Sequence, residues 1–477
     1  MEFLSKYDIR YDKAILNWDE ALPLGNGKLG CLIYGDGPLH LSLDRVDLWD
    51  DRPAPATQEE GFNFAELVRL AKSEKEEDWR EYSRRFDSVY TDTPYPTKLT
   101  AGRIELDFGD KTDAVSSFVS LINATASVYV NGEKNIKLES FMSATRFIGV
   151  MRVFGDYKLS LRIPKYISGE GNAKESEKSL QSSMSLEYPC AVIEAKDGFT
   201  YYRQNTATDF AYGIVVYEKD FKEYKELYFT VATSNDAHDF ITYAKEELLS
   251  ASKIGYDALM AEHTAWWREY WAKSSISVSD DLLEKTYYRS WYLFASCSRK
   301  AYYPMPLQGV WTADNDKLPP WKGDYHHDTN TQLSYQSYLK ANRLDEGVCF
   351  VDYLWALRPA YERFAKDFYG VEGLLIPGVS TIDGKAMGGW AQYALSPTLS
   401  IWTAQSFDEY YLYTGDKKFL EEKAYPFFSA IGKAIFGLLE EKNGKLYLPL
   451  SSSPEIFDAE KYAYLQPNSN FDLALLR

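Results

Sequence analysis

Residues 240–274, FITYAKEELLSASKIGYDALMAEHTAWWREYWAKS, mark the point where the texture of the chain changes. Apolar side chains recur here at helical spacing, whereas the sequence before it is short β-rich runs broken by turns. Upstream lie LGCLIYG (29–35), LHLSLDRVDLW (39–49), RIELDFG (103–109), ASVYVNGEKNIKLESFMS (126–143), FIGVMRVFGDYKLSLRIP (147–164), CAVIEAKDGFTYYRQ (190–204), YGIVVYE (212–218) and ELYFTVATS (226–234). Closely spaced strands with Gly, Asn, Asp or Pro between them predict an antiparallel β-sandwich. VNGEK (130–134) and KDGF (196–199) read as hairpin turns. One charged stretch between about Gln58 and Phe86, containing FAELVRLAKSEKEEDWREYSRRF, reads as a helix inserted between strands.

Downstream the pattern is helix and loop: LLEKTYYRSWYLFASCSRK (282–300), QLSYQSYLKA (332–341), EGVCFVDYLWALRPAYERFAKDFYG (346–370), LSIWTAQSFDEYYLYTG (399–415) and KKFLEEKAYPFFSAIGKAIFGLLEEK (417–442). Several of these runs end at Gly or Asn, the usual helix stop. Such a series makes a bundle, a toroid or a solenoid, and the lack of a fixed-period repeat argues against a simple solenoid. The chain therefore divides into a β-sandwich over residues 1–245, a helical linker over 246–279 and a helical domain over 280–477. On the linker, Trp266, Trp267 and Trp271 read as packing anchors rather than sugar platforms.

With 70 acidic against 53 basic residues the formal net charge is -17, a field that repels phosphate backbones and anionic membranes. Nucleic acid is thereby excluded as an expected partner. No apolar run approaches the roughly 20 residues that span a bilayer, and the first residues hold no continuous apolar segment of the secretory type. The chain as given reads as cytoplasmic by default, and as secreted or periplasmic if a signal was removed. Cys31, Cys190, Cys297 and Cys349 follow no metal or disulfide spacing and read as free core thiols. Aromatic content is 16%, with 38 Tyr and 12 Trp, which suits either large cores or flat platforms for sugar rings.

The densest polar and aromatic segment is the loop QGVWTADNDKLPPWKGDYHHDTNTQLSY (308–335). If Asp324 to Asn330 is extended, the two-residue period places Asp324, His326, Asp328 and Asn330 on one face. Carboxylate, imidazole and amide oxygen there suit a metal site, a helix cap at Thr329 or Asn330, or a substrate pocket. A second candidate is LSSSPEIF (450–457), where Glu455 follows Pro454. Alone, Ser-Pro-Glu is an ordinary helix start. Paired with Asp328 from another loop, it also supplies the two groups that glycoside hydrolysis needs, an acid for the leaving oxygen and a base for water.

The stretch WDEALPLGNGKLGCLIYGDGPLHLSLDRVDLW (18–49) resembles the N-terminal signature of family 95 glycoside hydrolases, a Leu-Pro-x-Gly-Asn-Gly turn followed by strands. HTAWWREYW, PLQGVW, DYHHDTNTQLSY, DEYYLYTGDKKFLEEKAYPFF and SSSPE then follow the family's landmarks in order. The resemblance implies a β-sandwich, a helical linker and an (α/α)6-type toroid holding the active site. It implies an α-L-fucosidase-like glycosidase acting on an oligosaccharide or glycan with inversion, without a metal or other cofactor. The family's acid position falls on Glu455, and its Asn-x-Asn-x-Gln water-positioning pattern on Asp328, Asn330 and Gln332.

The first of those asparagines is here a carboxylate, and the family's later Asp-Gly-Asn-Phe-Gly motif occurs nowhere in the chain. The expectation is that Asp328 itself acts as base while Asn330 orients the water. Ile456 stands where the family has Asn, and Phe407-Asp408-Glu409-Tyr410 replaces Trp-Glu-His-Tyr, so the sugar is expected to be fucose or a related galactose-type sugar. His326, Trp321, Trp390 and Trp402 are expected as pocket walls and donors, with core packing the equal alternative. Only about half the helices of such a toroid can be found after Asp280, and the chain ends inside FDLALLR. The expectations are an incomplete toroid and a competing reading as a carbohydrate-binding relative without turnover.

Overall fold

The computed structural model describes residues 2–109, 114–131, 135–167, 185–457, 460–464 and 468–477. Two antiparallel sheets form the N-terminal part. Across the larger run Ile9–Tyr11, Ala114–Ser120, Thr125–Asn131, Ile136–Met142, Gly149–Phe154, Lys225–Thr233, Ala211–Asp220, Phe199–Tyr202 and Ile193–Lys196, with Gln204–Asn205 also on Ala211–Asp220. Across the smaller run Lys158–Arg162, Gly102–Asp107, Leu39–Arg45, Leu29–Tyr34 and Leu22–Gly25. Leu41, Leu43, Ile104 and Leu106 of the smaller sheet share a core with Val128, Leu138, Val153 and Phe229 of the larger. This is the sandwich that the alternating runs predict.

Lys196 pairs with Phe199 across Asp197 and Gly198, whose φ values of 55° and 78° make the primed turn that matches strand twist. The other expected turn, at 132–134, lies outside the described residues. Between Trp49–Asp50 and Thr97–Lys98, which pair with each other, the chain makes its helical excursion. It holds two helices, Phe64–Lys72 and Glu76–Tyr82, rather than the single one expected. The break falls at Ser73, whose backbone is extended and whose hydroxyl donates to Asp78 Oδ2 at 2.6 Å.

The 240–274 stretch is likewise two helices, Phe240–Ile254 and Tyr256–Ala272, because Gly255 takes φ 87°. They cover the outer face of the larger sheet, where Phe240, Leu248 and Leu259 pack on Phe141, Val150 and Tyr228. Trp267 and Trp271 are buried as anchors. Helix Asp281–Cys297 opens on Asp280, whose carboxylate accepts from the Leu282 and Leu283 amides. Helices Leu344–Ala356, Arg358–Asp367, Leu399–Thr414 and Tyr425–Leu438 follow, and Gly415 ends one of them at φ 65°. All four cysteines are free, but Cys190 is exposed because it precedes the exposed edge strand Ile193–Lys196, a correction to its expected place in the core. Among the described residues no helix is long and apolar enough to cross a membrane.

Candidate active site

The segment 320–332 is shaped by its backbone first. Trp321, Lys322 and Gly323 all take left-handed conformations, with φ 47°, 53° and 60°, two of them costly for residues with a Cβ. The chain then enters the short strand Tyr325–His326, paired with Val379–Ser380, and the His327 amide donates to Gly378 O at 2.7 Å. Extended backbone sends alternate side chains to opposite faces. Tyr325 and His327 turn inward, Tyr325 stacking on Tyr353 at 5.0 Å. Asp324, His326 and Asp328 share the other face. Asn330 leaves it, because it is the exposed first residue of helix Asn330–Tyr335. Thr329 makes no side-chain cap, its hydroxyl donating to Asp328 O.

The three side chains form a line. Asp324, fully buried, has Oδ1 3.1 Å from His326 Nδ1 and accepts from Tyr90 Oη on Oδ2 at 2.9 Å. His326 Nε2 lies 3.5 Å from Asp328 Oδ1, which has no hydrogen-bond partner among the described residues although it is buried. Burial alone would lower the His326 pKa; the Asp324 charge and hydrogen bond, with Asp328 and Glu455 behind them, overcome it and raise it to about 9. His326 is therefore an imidazolium between two carboxylates. Burial raises the Asp328 pKa, with the Glu455 and Asp324 charges adding and His326 opposing. His327, buried and beside that cation, is pushed down to about 3 and stays neutral.

Glu455 reaches this cluster from the other loop: its charge acts on both His326 and Asp328. Its side chain is exposed and its φ is 57°. It sits in a turn, so Pro454 starts no helix. The loop is anchored upstream. Ser451 Oγ donates to Asp472 Oδ2 at 2.6 Å, Thr398 Oγ1 donates to Asp472 Oδ1 at 2.6 Å, and Ser469 Oγ donates to Ser452 O at 2.7 Å.

Trp390, at φ 44°, sets its ring edge-on to His326 at 5.9 Å and 4.6 Å from Tyr90. The structure thus gathers Asp324, His326, Asp328 and Trp390, with the charge of Glu455. Trp321 stands in the turn before them. Gln332 and Trp402 line a cavity of about 60 Å³ with Tyr335, Phe350 and Glu409, too small for a sugar ring, and Trp402 also packs on the apolar cluster that holds Tyr90 and Trp390. The Gln332 amide braces the loop instead, donating to His327 O and, at 3.2 Å, to Thr403 Oγ1. Among the described residues no group of three or more His, Cys, Asp and Glu is placed to hold a metal ion. Tyr90 has no signal in the sequence, since it meets Asp324 from 234 positions away.

Comparison with known proteins agrees with this layout. Residues 248–477 match the glycosyl hydrolase family 95 catalytic domain, and residues 9–224 match the glycosyl hydrolase family 65 N-terminal domain. “Alpha-L-fucosidase 2” of Arabidopsis thaliana is 24% identical over 97% of this chain and 62% of its own length. “Probable alpha-fucosidase A” of Aspergillus niger is 23% identical over 91% of this chain and 61% of its own. The chain thus spans under two thirds of the length of these relatives. The solved structure titled “Putative kojibiose phosphorylase from human microbiome” superposes with a TM-score of 0.62 at 11% identity, covering 93% of this chain and 57% of its own, which establishes a shared fold.

Proposed function

We propose that the chain, whose residues 248–477 match the glycosyl hydrolase family 95 catalytic domain, releases a terminal sugar, α-L-fucose or a related galactose-type sugar, from an oligosaccharide. Glu455 protonates the leaving glycosidic oxygen while Asp328 takes a proton from water attacking the opposite face of the ring, with inversion. His326 presents a charged N–H beside Asp328, suited to a sugar hydroxyl, and Trp390 and Trp321 form the aromatic wall. The observation that carries this reading is the buried oxygen of Asp328, which has the His326 charge beside it but no hydrogen bond among the described residues, on a face where the Glu455 charge is felt. On this reading an acid from one loop and a base from another act on the same glycosidic bond.

The test is sugar release from a fucosyl or galactosyl oligosaccharide by the purified chain. Glu455→Gln is expected to lower kcat by about 10²–10⁴-fold, with much of the loss recovered on an aryl glycoside whose leaving group needs no acid. Asp328→Asn is expected to lower both substrates alike, and unchanged turnover would remove it as base. Binding without release by the wild type would favour the second reading, a sugar-binding relative. That reading draws on the exposed position of Glu455, which no side-chain hydrogen bond to another described residue aims.

A further inference from the structure

The excursion between Trp49–Asp50 and Thr97–Lys98 does more than decorate the sandwich. Its far end is laid against the candidate site by two amides, that of Gly389 donating to the Phe86 carbonyl at 2.7 Å and that of Ala391 to the side-chain Oδ1 of Asp87 at 2.8 Å. Val89 and Tyr90 occupy the space that side chains at Gly388 and Gly389 would need, with Val89 Cγ1 only 2.2 Å and Tyr90 Cβ only 2.7 Å from the ideal Cβ positions. Lys322 closes the other side, its ammonium donating to Thr93 O at 2.7 Å and lying 4.8 Å from the centre of the Tyr90 ring. The Tyr90 ring is thus fixed between Trp390 and Lys322, with its hydroxyl on one oxygen of Asp324.

We infer that Tyr90 is a positioning residue of this site: by occupying Oδ2 of Asp324 it keeps Oδ1 on His326, and so holds the proton of His326 that faces Asp328. The inference rests on the proposed hydrolytic reading for its kinetic consequence, but its structural content is independent of turnover. Asp324 has two basic groups within its field, His326 and Lys322, the second pushed down by burial to about 7. A carboxylate with both oxygens engaged is fixed in its orientation, whereas one released on Oδ2 can rotate away from the imidazole. Removing the Tyr90 hydroxyl therefore weakens the hold on the imidazolium without emptying the space that the ring fills.

The titratable and charged groups about His326 are Asp324, Asp328, Lys322 and His327 of its own segment, Tyr90 of the excursion, Tyr393 of helix Ala391–Ala394, and Glu455. Tyr90→Phe leaves all the others in place. NMR titration of the histidine rings, with His326→Asn to assign the signal, is expected to show the His326 pKa falling toward its ordinary value in Tyr90→Phe. In sugar release, kcat is expected to fall about tenfold, the worth of one hydrogen bond to a charged group, with KM little changed. Asp324→Asn is expected to move the His326 pKa further in the same direction. A His326 titration identical in Tyr90→Phe and wild type overturns the inference. If the wild type releases no sugar, the hydrolytic reading fails, while the titration still decides the role of Tyr90.

Discussion

His326 and Asp328 set the pH window in which the site keeps its charges, and they do so from opposite ends. Burial lifts Asp328 above the ordinary carboxylate range, so the acid limb of kcat/KM is expected above about pH 4, the usual aspartate value. His326 keeps its proton to about 9, so its charge beside Asp328 persists well past about 6.5, the ordinary histidine value, while the alkaline limb of the rate belongs to the general acid, Glu455. The same shift acts on stability. A histidine whose folded pKa exceeds its unfolded value stabilises fully below the unfolded pKa, and the contribution is lost as pH rises through the folded one. The stability difference between wild type and His326→Asn, from urea unfolding, should therefore be largest below about pH 6.5 and shrink through pH 9. A difference that grows with pH would mean that His326 is neutral in the fold. His263 carries the opposite sign. Its Nε2 lies 2.7 Å from Asn123 O while Nδ1 accepts from the Ala144 amide at 3.2 Å, and burial drives its pKa down to about 3. It must fold neutral, so its cost appears as pH falls below about 6.5.

At the scale of elements, the loop carrying Glu455 depends on a residue that follows it. Asp472, in helix Asn470–Leu476, is buried and receives Ser451 and Thr398 hydroxyls on its two oxygens, and its own amide donates to Ser469 Oγ at 3.1 Å. Asp472→Ala would leave those hydroxyls buried without an acceptor, and is expected to destabilise by about 2–4 kcal/mol. It is also expected to lower kcat by loosening the path to Glu455. Denaturant unfolding checks the first effect and sugar release the second; a loss below about 0.5 kcal/mol, the range of ordinary surface substitutions, would show that the carboxylate is not the anchor. Nothing local in SSSPE points to Asp472, and the same holds for Tyr90. Sequence reading found the strands, the Asp197-Gly198 hairpin and the Asp324, His326, Asp328 face, because each rests on a period or turn a few residues long. It missed what depends on distant partners. The break at Ser73 turns on a hydroxyl finding Asp78, and Gln332, placed by motif, and Trp402, expected as a pocket wall or as core, line a cavity too small for a sugar ring, Gln332 bonded to Thr403 and Trp402 set against Phe471.

Across the whole molecule, sheets and helices are joined by the turn at Leu-Pro-Leu-Gly-Asn-Gly-Lys-Leu-Gly (22–30), which on sequence alone could pass only for a tight turn. Trp311 Nε1 donates to Leu24 O at 2.8 Å, the Gly27 amide donates to Ser296 O at 2.8 Å, and Asn26 ties the turn to Ser143 O at 2.9 Å and Arg146 O at 3.1 Å. The glycines permit this approach: a Cβ on Gly25 would lie 2.5 Å from Ser296 O, and one on Gly30 would lie 2.5 Å from Val310 O. Those atoms are backbone, so relief requires moving helix Asp281–Cys297 or the 309–311 segment away from the smaller sheet. Gly30→Ala is therefore expected to destabilise by about 1–3 kcal/mol, the usual cost of overpacking, and in calorimetry to broaden or split the unfolding transition as the two parts lose their mutual support. Gly432, in the interior of helix Tyr425–Leu438, has nothing within 4 Å of its missing Cβ. Gly432→Ala should raise the midpoint, by about 0.5–1 kcal/mol of helix propensity and unfolded-chain entropy. Opposite shifts from the same chemical change would locate the effect in the contact between sheet and helix, since propensity alone favours alanine over glycine inside a helix. A midpoint unmoved by Gly30→Ala would mean that the close approach at Val310 does not join the two parts, and that hydrogen bonds such as those from Trp311 to Leu24 and from Gly27 to Ser296 carry the joint.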